Sequence, residues 1–451
     1  MTICNKTTVA IGLAAVCLLL ADSAMAGADF MESLTGGKAS ANVRLRFEEV
    51  HDDAFEEEGE ALTLRTRLGY ETSPFYGFTT LVEYENVSTL NGIDEYQEPA
   101  PPAPKAAGAA VIADPEVNEF NRAQIKYRGI RKLDLTLGRQ YISYDNQRWI
   151  GNVGFRQDDQ TFDAFSASYT GLKDFTLNYA YVVEVNGITP EFDNKVNDHF
   201  FNIQYNGFSW GKLTAYHYDL HSQNDSIRGP EKAIDVNPGL RYVSNKTTGL
   251  RLDGGYNLPT TIPLRAIYRA ELAQQEAQVM EPVAGTRSRE TTYHTDYGMA
   301  EVGFNWGFGG GNFALTPVLG YEVLSSDNGK YGLQTPYGTK HAFNGFADQF
   351  LVTPKEGLVD KYVNIGFDWN PQNIKIQAQY HEYETDHANA VRKGDLDLGK
   401  EYSLQVVKTF SPNWSVGTKI AIYDESHDAD DVLRSNKRDT DKLWAWVEYK
   451  Y

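Results

Sequence analysis

Cysteine is almost absent from this chain. Its two residues, Cys4 and Cys17, both stand within the first twenty positions. The remainder therefore holds no disulfide, no thiolate metal site and no thiol chemistry. Long apolar runs are missing too. Val9 to Leu20 is the longest, and it is shorter than the roughly 20 apolar residues that a membrane-spanning helix needs. Basic residues are in deficit, with 42 Lys and Arg against 61 Asp and Glu and a formal charge of −19. That balance excludes nucleic acid, which binds a basic surface. No G-x-S-x-G and no H-E-x-x-H occurs. The nine histidines include His217 and His381, which stand on strand-like segments. Neither has a Ser or Asp at a convincing cross-strand spacing, so no enzyme is expected. The acidic stretches Asp52 to Glu58 and Asp424 to Asp431 lack Ca²⁺-loop spacing and read as solvated loops. No metal and no cofactor are expected.

What is present begins with an export signal. Lys6 supplies the positive region, Val9 to Leu20 the apolar run, and Ala24-Met25-Ala26 a small-x-small cleavage site. Residues 1–26 are expected to be a signal peptide. Residues 27–451 show no boundary between compact domains and read as one. Aromatic residues make up 13%, with 28 Tyr and 22 Phe, while mean hydropathy is −0.47. A polar chain this rich in rings fits a transmembrane β-barrel, which carries aromatic girdles at both membrane interfaces.

The strand pattern agrees. In the last nine residues Leu443, Ala445, Val447, Tyr449 and Tyr451 share one face, and Trp444, Trp446, Glu448 and Lys450 the other. A barrel needs such an ending, because its last strand closes on its first and leaves no edge in lipid. Val43–Glu48, Leu62–Tyr70, Phe175–Val185, Leu264–Leu272, Phe313–Val323, Ile374–Tyr380 and Trp414–Ile422 alternate in the same way. Alternation is blurred near 161–170 and 210–219. Short turns with Gly, Pro or Asp separate long polar segments near 87–118, 143–159, 220–246, 275–291, 325–357 and 425–440. The segment Glu98 to Ala113, with Pro99, Pro101, Pro102 and Pro104, reads as an exposed loop that cannot pair in a sheet. The fold class is all-β: a transmembrane antiparallel β-barrel of about 18 strands, with short periplasmic turns and long extracellular loops.

With apolar faces turned to lipid, the opposite faces line the lumen. They offer Arg44, Arg46, Arg65, Arg67, Arg122, Lys126, Arg128, Arg265 and Arg269, with Glu83 and Glu85 among them. Guanidinium groups in such an arc bind carboxylates bidentately and set ion preference. The alternative is that they pair with neighbouring acids and keep the wall satisfied. By this reading lumen bases and acids nearly balance, so the excess acid sits in loops.

Two loops are not generic. One runs from Leu137-Gly138-Arg139-Gln140 through Asp145-Asn146-Gln147-Arg148 and Gly151-Asn152-Val153-Gly154-Phe155-Arg156-Gln157 to Ala164. The other holds Gln334-Thr335-Pro336 and His341-Ala342-Phe343-Asn344-Gly345-Phe346-Ala347-Asp348-Gln349-Phe350. With Leu64 to Tyr70 and Glu83 to Val87, these stretches resemble the alginate-export-like family of bacterial outer-membrane barrels. The resemblance implies a monomeric channel of about 18 strands. Separately, a loop rich in Gly, Arg and Asn, here with Arg139, Asp145, Asn146, Arg148, Asn152 and Arg156, is of a kind that folds into the barrel and narrows it, the alternative being a loop packed on the rim for stability. The expected function is passive passage of small polar, anionic or saccharide-like solutes across the outer membrane. Export of an anionic exopolysaccharide such as alginate is the alternative; an outer-membrane enzyme or a plugged structural barrel are weaker readings. Expected partners are outer-membrane lipid and lipopolysaccharide, the barrel assembly machinery through the C-terminal strand, and the solute or polysaccharide itself.

Overall fold

Alternation in the sequence becomes an unbroken ring in the computed structural model. The structure describes residues 26–98, 108–189, 193–222, 241–281, 289–387, 395–426 and 439–451. The expected signal peptide lies almost entirely outside them. A helix, α1 (Ala26–Thr35), precedes eighteen strands. These are β1 (Lys38–Asp52), β2 (Gly59–Glu71), β3 (Phe78–Glu95), β4 (Val117–Tyr127), β5 (Leu133–Gln140), β6 (Thr161–Tyr169), β7 (Phe175–Asn186), β8 (Asn194–Phe208) and β9 (Gly211–His221). They continue as β10 (Arg241–Asn257), β11 (Leu264–Glu281), β12 (Arg289–Phe308), β13 (Phe313–Leu324), β14 (Leu358–Trp369), β15 (Ile374–Glu384), β16 (Asp397–Thr409), β17 (Trp414–Asp424) and β18 (Thr440–Lys450).

Every strand pairs antiparallel with its sequence neighbours, and β18 closes on β1 from Asn42↔Lys450 to Asp52↔Thr440. Closure satisfies the edge groups that lipid cannot. Leu68, Leu272, Val302 and Leu319 are more than half exposed on the outer face, which is tolerable only against hydrocarbon. Ring pairs mark one end of that face, among them Phe208–Trp210, Phe313–Trp369 and Trp414–Tyr449. Tyr84–Phe120 and Tyr380–Tyr402 lie farther along. Tyr380 is six residues from the start of β15, or roughly 20 Å along a strand, which suits the second girdle.

Two expectations change. The stretch 275–291 is not wholly a loop: β11 and β12 stay paired out to Glu281↔Arg289. Strands that leave the membrane can keep their ladder with polar residues outward, so Gln274 and Glu276 do not end β11. The segments of blurred alternation are strands, as counted; β6 blurs because Phe162 and Ala164 are buried on its inner face while Asp163 stands on the outer one, and the bulge beside it falls at Val183 of β7. Within Glu98 to Ala113, residues 99–107 fall outside the described residues. The Pro-free remainder does pair, through parallel bridges Glu57↔Ala109 and Gln97↔Val111. It buries Ala110 and Ile112 against Val50, Ala61 and Tyr96.

Candidate functional site: two loops docked inside the barrel

The interior is organised by the two long loops at 141–160 and 325–357, which turn into the lumen. On β1 and β2 the even and odd positions respectively face inward, so Arg44, Arg46, Arg65 and Arg67 form one inner patch, all buried. They meet the first loop's backbone. Arg44 donates to Gln157 Oε1 at 2.8 Å, to Gly154 O at 3.3 Å and to Arg156 O. Arg46 Nη1 donates to Phe155 O at 2.5 Å. Arg65 and Arg67 both donate to Gln157 O, at 3.3 and 3.2 Å. Acids complete the shell. Arg46 pairs with Glu48 and Asp114, Arg65 with Glu448, and Arg67 with Glu85 and Asp159. Four adjacent guanidiniums would repel one another; loop carbonyls and these carboxylates offset that.

The second loop docks with the opposite polarity. Glu401 on β16 accepts backbone N–H bonds from Phe346 at 2.5 Å and Ala347 at 3.2 Å. Gly345 has φ +86°, and a Cβ there would run into Glu401 Oε2 and Tyr383 Oη; glycine is what lets this backbone reach the carboxylate. Asn344 donates to Glu322 at 2.6 Å and Asp360 at 3.0 Å.

The loops also hold each other. Arg148 bridges Glu322 on the wall and Asn344 Oδ1. Arg156 spans Glu48 and Asp348, each at 2.9 Å. Gly151 N–H donates to Tyr337 O, and Thr339 N–H to Gln147 O, both at 2.9 Å. Lys419 on β17 sits between the Phe155 and Phe346 rings, at 3.8 and 3.7 Å from their centroids. Its ammonium meets His341 Nε2 at 2.9 Å, and His341 Nδ1 meets Asp348 Oδ1 at 2.7 Å. Burial pushes His341 down to about 3, so the ring is neutral, accepting at Nε2 and donating at Nδ1. Burial alone would raise Asp348, but His341, Lys442 and Arg156 hold it below the usual carboxylate range. Behind these contacts lies one apolar core joining both loops to the wall, with Trp149, Ile150, Phe162, Phe200, Tyr297, Phe350, Tyr383 and Trp444.

The other residues named from the sequence are scattered. Arg122 is clamped by Glu83 at 2.7 and 2.8 Å. Lys126 is half-buried on the inner face, and Arg128 at the end of β4 pairs with Asp134 at 2.9 Å. Arg269 pairs with Glu301 at 2.5 Å. Arg265 lies at the periplasmic end in a recess of ≈ 500 Å³ that also includes Lys212, Asp253 and Arg269. Asp145 is an anchor, accepting from Asn202, Lys212 and Thr214. Asn146 accepts the local N–H of Arg148, and Asn152 O accepts that of Gln160. Arg139 stands on β5 rather than in the loop, on the face of Leu137, paired with Asp163 at 2.9 Å.

Several partners were not foreseen. His381 faces inward and pairs with Asp360 at 2.9 Å, correcting the expectation that no Asp stood at a usable spacing. The pairing is diagonal, since His381 lies opposite Tyr362. Among the described residues His381 Nε2 has no hydrogen-bond partner. His217 faces outward, bonded to Thr248. Strand alternation turns Glu401 and Lys419 inward and Gln157 stands in the first loop's motif, but nothing local names the distant segments they meet; Asp114 gave no signal of its own.

The sequence family described as alginate export matches residues 111–349, just over half of the chain. No curated protein matches. Among solved structures, OccAB1 of Acinetobacter baumannii superposes with a TM-score of 0.64 at 10% identity, covering 93% of this chain and 97% of that one. OccK8 (OprE) of Pseudomonas aeruginosa gives 0.62 at 12%, covering 93% and 98%. OpdK of the same organism, crystallised with vanillate, gives 0.59 at 15%, covering 92% and 98%. At such identities the likeness is one of fold.

Proposed function

The chain belongs to the alginate export family, and from that premise we propose that it is a passive outer-membrane channel for small anionic or saccharide-like solutes. The closed barrel with its lipid-facing belt belongs in the outer membrane. The observation that carries the solute reading is the double loop insertion. Two loops and an apolar core occupy the lumen, and the inner arginines are engaged by loop carbonyls and acids. A passage narrowed in this way suits small solutes rather than a polymer held along its length.

Cations outside that docking patch supply the anion preference. Among the described residues neither Lys340 nor Arg265 has a carboxylate in salt-bridge range. Lys340 is held down to about 8 by burial, with the Arg148 charge adding to the effect. It stands in the second docked loop, whereas Arg265 is at the periplasmic end. The likeness to OpdK, which was crystallised with vanillate, a small carboxylate, supports the same class. The family description favours a second reading, export of an anionic polysaccharide.

Planar-bilayer conductance and liposome swelling with a panel of sugar acids test the choice. The expected result is a small unitary conductance with weak anion preference, and swelling that falls steeply from mono- to trisaccharide acids. Equal permeation of long uronate oligomers overturns the small-solute reading. A sealed barrel overturns both.

A further inference from the structure

α1 has no place in the barrel wall and none in the lumen. It lies outside, against the periplasmic turn between β2 and β3. Tyr70 is on the outer face of β2; its hydroxyl donates to Leu34 O and accepts the Gly37 N–H at 3.0 Å. Ser33 Oγ donates to Ser73 O at 2.5 Å, and Ser73 N–H donates to Ser33 O at 3.0 Å. Phe30 meets Phe75 edge-on at 5.4 Å, and Phe75 in turn meets Tyr76 at 4.7 Å.

These contacts fix the helix about its axis. At about 100° per residue, Phe30, Leu34 and Met31 fall within an arc of about 100°, Ser33 beside it toward the turn, and Glu32 opposite. That arc is uncovered: Phe30 is 46%, Met31 56% and Leu34 38% exposed. It runs on into the outer belt through Leu68 and Tyr70 on β2 and through Tyr76, itself 70% exposed. A surface continuous with lipid-facing residues meets the same solvent as they do.

We propose that α1 is an interfacial helix lying in the periplasmic leaflet of the outer membrane, with Phe30, Met31 and Leu34 at the headgroup–acyl boundary. Its occupant is lipid. Helices of this kind bind by apolar area on one face with the polar face in water. The tie through Ser33 and Tyr70 places the helix at the belt's lower edge, so that it seals the β2–β3 corner of the barrel against the leaflet.

The test uses nitroxide labels on single cysteines. Both native cysteines lie at positions 4 and 17, ahead of the helix, so protein purified from outer membranes after signal removal carries only the introduced thiol. Met31→Cys, Leu34→Cys and Glu32→Cys are labelled and reconstituted in phosphatidylethanolamine-rich bilayers, with folding checked by heat-modifiable gel mobility. At 31 and 34, collision with oxygen is expected to exceed collision with an aqueous nickel chelate several-fold, and the ratio is expected to invert at 32. If Met31→Cys does not fold, Leu34→Cys carries the comparison. Preferential access of the nickel chelate at 31 and 34 overturns the proposal. So does shielding of both labels from both reagents, which would mean the face packs on protein.

Discussion

The docking of the second loop through Gly345 and Glu401 can be broken with one methyl group. Alanine at 345 meets two penalties. Its φ of +86° costs an L-residue roughly 1–2 kcal/mol. Its Cβ also expels Glu401, which then loses N–H bonds from Phe346 and Ala347 of 2.5 and 3.2 Å. Hydrogen bonds to a charged group contribute about 1.5–3 kcal/mol each, so the sum is on the order of 4–8 kcal/mol before water re-solvates the freed carboxylate. Even a net 3 kcal/mol shifts the docked–undocked equilibrium about 150-fold. Gly345→Ala is therefore expected to release the loop while the eighteen-strand ladder stays intact. Single-channel recording should show larger, noisier openings, and limited proteolysis should gain a cut between residues 325 and 357. Parental unitary conductance together with parental protease resistance would refute the claim that backbone capture by Glu401 holds the loop.

Other consequences follow from the same geometry. Arg65→Ser with Arg67→Ser should leave the reversal potential in a salt gradient nearly unchanged, because these guanidiniums are covered by the loop; Lys340→Ser with Arg265→Ser should shift it toward cations. Acidification should open the channel. His341 is depressed to about 3 by burial and Asp348 is held below its ordinary range, so at these two groups an undocked loop binds more protons than a docked one and their contribution to docking weakens as pH falls below about 6.5. One histidine contributes roughly 2–3 kcal/mol by pH 4.5, read as rising conductance between pH 7 and 4.5 that His341→Asn suppresses. Val153 holds φ +53° in the first loop, which is costly for a β-branched residue; Val153→Gly should make that loop harder to cleave, and easier cleavage would count against stored strain. Deleting Trp446–Tyr451 removes the pairs from Asn42↔Lys450 to Arg46↔Trp446 and should abolish the heat-modifiable folded band.

The wall was legible because its physics is periodic. Leu443 to Tyr451 declares two faces, and so do β2, β7 and β13; lipid on one side and a polar lumen on the other enforce a period of two over each strand. Legibility failed where that constraint ends. Beyond the bilayer, β11 and β12 keep pairing with the pattern inverted, Gln274, Glu276 and Gln278 outward and Ala277 and Val279 packed inward with Tyr293, so 275–291 looks like loop. Ala109 and Val111 join the sheet as single bridges, and an isolated bridge has no period. The His381–Asp360 contact is diagonal, so scanning residues directly opposite misses it.

The arginine patch shows a different limit. Alternation turns Arg44, Arg46, Arg65 and Arg67 inward, but it is silent about what they meet there. A guanidinium donates equally well to a solute carboxylate and to a carbonyl of its own chain. Arg44 reaches residues 110 to 113 positions away, a separation that no local pattern encodes. The same holds for Glu401, whose two donors lie 54 and 55 positions back. A barrel lumen therefore poses its wall charges a choice between cargo and loop, and the loop has the entropic advantage of being tethered. Where an inward cluster of like charge stands opposite a loop rich in glycine, the loop backbone competes first, and the cations left for cargo are those it does not reach.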